Sequence, residues 1–141
     1  MVDLNDYANE IAEFITSSAL SFKQEAGTFN SLGVYCCPWA AWITTNFNKT
    51  KTLEEAGHNC SDFEIVGYGS VDLNSWNEEY DKEEPDFRIK GLSIFLGHDD
   101  GDEALNRIVF DFLHPIVMEI KSEIGTTVLL QMLDSECVTV M

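Results

Sequence analysis

Apolar residues return every three or four positions near the start of the chain: Leu4, Ala8, Ile11, Ile15, Ala19, Phe22 and Ala26. That step places them on one face of a helix. Asp3 suits the N-cap and Gly27 the stop. Glu10, Glu13, Lys23 and Gln24 fall off the stripe, where an exposed face belongs.

The pattern then changes period. "LGVYCCPWAAWITTNFN" is rich in aromatic and β-branched residues and predicts two extended pieces, Gly33–Cys37 and Trp39–Phe47. Pro38 between them has no amide proton, so it marks a bend, a bulge or an edge. "KTKTLEEAGHN" reads as a polar connection with one helical turn at Leu53–Ala56. In "DFEIVGYGSVDL", Phe63 and Ile65 alternate with Glu64, which predicts another strand. Gly67 and Gly69 mark a bulge or a close backbone approach. Ser75–Glu84 reads as a short helix with a Ser75/Glu78 capping box, ended by Pro85. "DFRIKGLSIFLG" predicts a further strand region.

The longest amphipathic stretch runs from His98 to Gly125. Leu105, Ile108, Val109, Phe112, Leu113, Ile116, Val117, Ile120 and Ile124 make a wide apolar face. Asp102 and Glu103 suit a helix N-terminus. Pro115 lies inside, so a kink or two abutting helices are expected. "TTVLLQMLDSECVTVM" predicts one or two strands turning at Asp134–Ser135. The expected fold is α+β: a mainly antiparallel sheet with two long helices packed on one face, plus a short acidic helix. With 141 residues it reads as a single domain, 1–141.

Charge narrows the partners. Twenty-five acids against 8 bases leave a net charge of −17. Phosphate binding needs Lys and Arg to displace counterions, so nucleic acid is a poor fit. An anionic membrane surface is a poor fit for the same reason. A basic protein partner suits the field, although solubility alone also explains an acidic chain. Residues 78–103 carry ten acids against three bases, a net of −7. The N-terminus "MVDLNDYANEIAEF" has neither a basic region nor an apolar run, which reads as a cytoplasmic chain. Its four cysteines are then expected to be reduced thiols.

No pattern of catalytic or cofactor-binding residues stands out. Cys36 or Cys37 beside His58, His98 or His114 would make a nucleophile, but a small buried residue in a strand explains either thiol as well. Cys36, Cys37, His58 and Cys60 lack the paired two-to-four-residue spacing of a structural zinc site. "HDDGDE" lacks the spacing of a calcium loop. Gly67-Tyr68-Gly69 lacks the other glycines of a phosphate loop. The chain therefore reads as a non-enzyme without cofactor or metal.

The stretch "NSWNEEYDKEEPD" remains. On a helix after Ser75, Trp76 and Tyr80 share a face, with Glu79 and Glu83 on the next. Either the two rings dock this helix on the sheet, or they stand exposed among carboxylates as interface anchors. A small acidic α+β chain of this character resembles the immunity proteins of bacterial toxin systems, most closely those paired with contact-dependent growth inhibition toxins. "FEIVGYGSVDLNSWNEEYDKEE" carries the likeness best. The resemblance implies binding and neutralising a cognate toxin domain, a basic nuclease. The expected partner-binding residues are Trp76, Glu79, Tyr80, Glu83, Asp86, Asp99, Asp100 and Asp102. Two alternatives compete: a nucleic-acid-mimicking inhibitor of a defence nuclease, and a cysteine-dependent enzyme.

Overall fold

The computed structural model describes residues 2–73, Trp76 and 98–141, and for 98–102 the backbone alone. A 3-10 turn over Leu4–Tyr7 leads into helix α1, Ala8–Ala26. Asp3 caps that turn by accepting from the Asn5 amide, and Gly27 ends the helix at φ 90°. Strands β1 (Ser31–Cys37), β2 (Trp42–Asn48) and β3 (Ile65–Asp72) follow. Helix α2 spans His98–Ile124, and strands β4 (Thr127–Met132) and β5 (Val138–Val140) complete the described chain. Pro38 opens a short 3-10 turn between β1 and β2 rather than interrupting a strand.

The strands form one sheet in the order β3-β2-β1-β4-β5. The fold is α+β as expected, and the sheet is mixed: β1 pairs antiparallel with β2 but parallel with β4. The parallel pair follows from the connections. α1 feeds β1 and α2 feeds β4, so both helix–strand arms run in the same sense. α2 is one continuous helix that includes Pro115, not two abutting pieces. Pro115 is exposed, so water can meet the carbonyl left without its helical partner.

β1 is buried on both faces, only Tyr35 being partly exposed. Leu32, Val34 and Cys36 join the core under the helices, with Ile11, Ile15, Phe22, Leu113 and Val117 among its members. Phe22 of α1 stacks on Phe47 of β2, ring centroids 4.1 Å apart, and Tyr68 of β3 meets both rings edge-on. The Tyr68 hydroxyl donates to Glu25 at 2.7 Å and pairs with the Ser21 hydroxyl at 2.9 Å, which ties α1 to β3.

The opposite face of the sheet is also covered. Residues 49–59 read as a polar connection with one helical turn, and Phe63 as part of the next strand, which begins only at Ile65. Instead Leu53, Ala56, Cys60 and Phe63 pack there as a second apolar cluster with Leu129 and Tyr35. These apolar positions recur at steps of three, four and three, but Gly57 and His58, both at positive φ, interrupt any helix between them, and the polar residues around them masked the pattern. Polar ties hold this loop. Gln131 of β4 accepts from the Cys60 amide at 2.8 Å, and Asn48 accepts from the Glu64 amide at 2.9 Å. The buried Asn46 bridges the bulge between β2 and β3, donating to Gly33 O and accepting from the Gly67 amide.

Two glycines mark the closest approaches. A Cβ on Gly33 would meet Cys60 Sγ at 2.8 Å and the Phe63 ring at 2.9 Å. A Cβ on Gly69 would meet Ser18 Oγ at 2.7 Å and Thr45 Oγ1 at 2.8 Å. Neither has a positive φ, so the requirement is space rather than backbone conformation. Gly33→Ala and Gly69→Ala should each destabilise the fold by about 1–3 kcal/mol through overpacking. Urea unfolding reads this as a lower midpoint at unchanged slope. An unchanged midpoint for Gly33→Ala would mean that the 49–64 loop yields freely.

Candidate functional site

The parallel sense of α1 and α2 sets up a groove on the outer surface of the helix layer. Residues 8–16 of α1 face 116–123 of α2, and 16–23 face 123–124. The α1 side is built from small residues, Ala8, Ala12, Thr16 and Ala19, which leave room between the helices. Ile116, Ile120 and Ile124 supply the α2 side of the floor. At the C-terminal end the floor deepens into a largely apolar cavity of about 320 Å³, with Leu20, Phe29 and Ile124 in its wall. Leu20 is 56% exposed, large for an apolar side chain at the mouth of a cavity.

The rim is acidic. Glu13 stands on α1, and Glu119 and Glu123 stand one turn apart on α2, all three exposed. Lys23 is the single base lining the groove. No ion pair engages the three carboxylates among the described residues. Like charges four apart on a helix cost a few tenths of a kcal/mol.

Of the residues expected to bind a partner, Trp76 is placed in the core. It is 1% exposed, and its ring lies 5.8 Å from that of Tyr7. Of the two roles open to it, docking is the one it fills; it is not an exposed anchor, because an indole this large buries more apolar area inside than a single surface contact would offer. Its indole N–H has no hydrogen-bond partner, one of two buried side-chain atoms so placed among the described residues; the other is Asn106 Oδ1. Glu79, Tyr80, Glu83 and Asp86 lie outside the described residues, as do the short helix and the "DFRIKGLSIFLG" strand. Asp99, Asp100 and Asp102 fall in the first turns of α2, and their side chains lie outside the described set. The sequence did not single out the groove. Its one signal was the run of small residues at helical spacing on α1, which reads equally well as core.

The thiols are poorly set up for nucleophilic chemistry. None of the four forms a disulfide, and all are buried. Burial pushes the Cys36 thiol far above its ordinary value and the Cys60 thiol up to about 12. Cys36 belongs to the core under the helices and Cys60 to the cluster under the loop, so the sheet separates them. His114 packs 6.1 Å from Phe110, and His58 sits in the loop at φ 52°. Among the described residues no three His, Cys, Asp or Glu side chains come together as metal ligands. No helix among them is long and apolar enough to cross a membrane.

Two carboxylates have structural duties. Glu64 accepts from the Lys51 and Thr50 amides and from the Thr50 hydroxyl. The Lys51 amide contributes most to holding its pKa below the usual carboxylate range. Desolvation pushes Glu103 up, but hydrogen bonds from Ser135, Asn106 and Cys137 outweigh it and leave its pKa lowered. Glu103 thereby clasps α2 to the β4–β5 turn.

Compared with family models, curated proteins and solved structures, the chain matches none of them.

Two predictions follow from this chemistry. A disulfide exchange reagent at about pH 8 should leave Cys36 and Cys60 unmodified in the folded protein and titrate all four thiols in denaturant; one fast-reacting thiol in the folded state would contradict the burial argument. For Glu64, a lowered folded-state pKa means stability that is present above the unfolded value of 4.5 and lost as pH falls through the folded value. The stability gap between wild type and Glu64→Gln should therefore close as pH drops from about 6 to about 3. A gap independent of pH would show that the carboxylate's charge has no part in holding the loop.

Proposed function

We propose that this chain is an immunity-type inhibitor, a cytoplasmic protein that binds a basic toxin domain, a nuclease, and neutralises it. One observation carries the reading: an open groove with an apolar floor whose rim carboxylates have no ion-pair partners among the described residues. Such a surface is suited to a basic protein. A nuclease must be basic to hold phosphate, so an acidic inhibitor can compete for that surface or sit beside it. Neutralisation needs binding alone, with no catalytic step or cofactor. The acids Glu79, Glu83, Asp86, Asp99, Asp100 and Asp102, with Tyr80, add a second source of attraction in this reading. Trp76 contributes from within, by holding the start of that segment to the core.

The apolar floor also favours a protein partner over mimicry of nucleic acid. Duplex DNA presents about one charge per 1.7 Å of axis and no apolar trough. A mimic would copy the ribbon of charge, not add a hydrophobic floor.

The test is neutralisation, not capture alone. A basic nuclease retained by the tagged chain at moderate salt should lose its activity when the purified chain is added at one equivalent. Glu79→Lys/Glu83→Lys should slow association about tenfold or more and flatten its salt dependence, with little change in melting temperature. A retained nuclease that stays fully active in excess chain would sink the proposal. An unchanged association rate for the double variant would remove this segment from the encounter.

A further inference from the structure

The groove between α1 and α2 says more about the shape of its occupant than charge alone does. Its walls are two helices running side by side, and its α1 side is lined by small residues at three- and four-residue steps. A helix laid along such a trough can approach closely, with ridges entering grooves at interaxial distances of about 8–10 Å. An extended segment is a poor fit. It would press unpaired amides and carbonyls against Ala12, Ile116 and Ile120, and those groups cost free energy when desolvated without partners. A helix meets its own backbone needs. From Ala8 to Lys23 the trough is about 22 Å long at roughly 1.5 Å per residue, which matches about four helical turns.

Charge and cavity then set the sequence of that helix. Glu13 lies on one rim and Glu119 and Glu123 on the other, so Lys or Arg should flank the buried stripe on both sides. The cavity of about 320 Å³ at the end near Phe29 suits one large aliphatic or aromatic anchor. We infer that the α1–α2 groove binds a basic amphipathic helix of a protein partner, with its apolar stripe on the floor and a large anchor side chain in the end cavity. The inference rests on the partner-binding reading above and specifies the recognised element.

The probe is a 16-residue peptide of Leu and Lys with Leu at three- and four-residue steps, labelled for anisotropy. A scrambled peptide of the same composition is its control. Wild type should bind the amphipathic peptide at least tenfold more tightly than the scramble, with amide shifts confined to α1 and α2. Glu119→Lys/Glu123→Lys should weaken binding at least tenfold. So should Thr16→Trp, which fills the trough where its two halves meet; melting curves establish that both variants fold. Glu54→Lys/Asp62→Lys makes the same change of charge on the opposite face and should leave binding intact. Equal binding of peptide and scramble, or equal loss in the opposite-face variant, would reduce the effect to general acidity and overturn the inference; so would absence of binding. Thr16→Trp also separates the two readings. If it still neutralises the nuclease fully, the groove inference falls and the inhibitor reading stands. If wild type neutralises nothing yet binds the peptide in the groove, the inhibitor reading falls and the groove inference stands.

Discussion

Strand β1 lies in the middle of the sheet, and both of its faces are dry. Leu32, Val34 and Cys36 need cover on one side, Gly33 and Tyr35 on the other. A strand buried on both faces leaves no side for water, so each layer of the molecule is arranged to close over it. The helices cover one face through Ile11, Ile15, Phe22, Leu113 and Val117. The 49–64 loop covers the other through Leu53, Ala56, Cys60 and Phe63. Gly33 is the point where the second cover comes closest, with no room for a side chain beneath Cys60 and Phe63.

A loop used as a cover has a cost that a helix avoids: tight turns pair the Ala56, Gly57, His58, Asn59, Asp62 and Phe63 amides within it, but other backbone groups need partners from outside. The fold meets this with amide side chains projecting from the sheet. Asn46, Asn48 and Gln131 reach the Gly67, Glu64 and Cys60 amides, and the Glu64 carboxylate in turn gathers those of Thr50 and Lys51. The polar residues of the sheet are therefore as structural as the apolar ones. Among the described residues, the two buried atoms without partners, on Trp76 and Asn106, belong to the helix-covered side.

Much of this was legible along the chain wherever period and punctuation agreed. α1 ends at Gly27 and keeps Glu10, Glu13, Lys23 and Gln24 in water, as its stripe implied. The β4–β5 turn falls at Asp134, which takes φ 50°. What period cannot carry is long-range pairing. Nothing local distinguishes the parallel β1–β4 ladder from an antiparallel one, and that ladder is what makes the helices run side by side. The loop cover was hidden because its four apolar residues, although at helical steps, are set in a polar run and interrupted by Gly57 and His58 at positive φ. The groove was hidden because Ala8, Ala12 and Ala19 have the same spacing whether they meet a core or an open trough. Trp76 was read as two alternatives because its helical neighbours fit either; only its contact with Tyr7 decides.

In the proposed reading, the groove divides the work between charge and apolar surface. An exposed ion pair contributes about 0–1 kcal/mol and is screened by salt, so three rim carboxylates alone would hold any basic protein weakly. Burying one Leu or Phe contributes about 1.5–3 kcal/mol, so the floor and end cavity can supply more than the rim. Selectivity arises from requiring both together. A basic surface without an apolar stripe gains the encounter but not the residence. An apolar stripe flanked by acids is repelled before it docks. A net charge of −17 extends that filter beyond the groove, because it orients any cationic partner before contact. The sheet and its loop cover take no direct part in this. They hold α1 and α2 side by side, so that in this reading the trough exists before a partner arrives and binding costs little reorganisation.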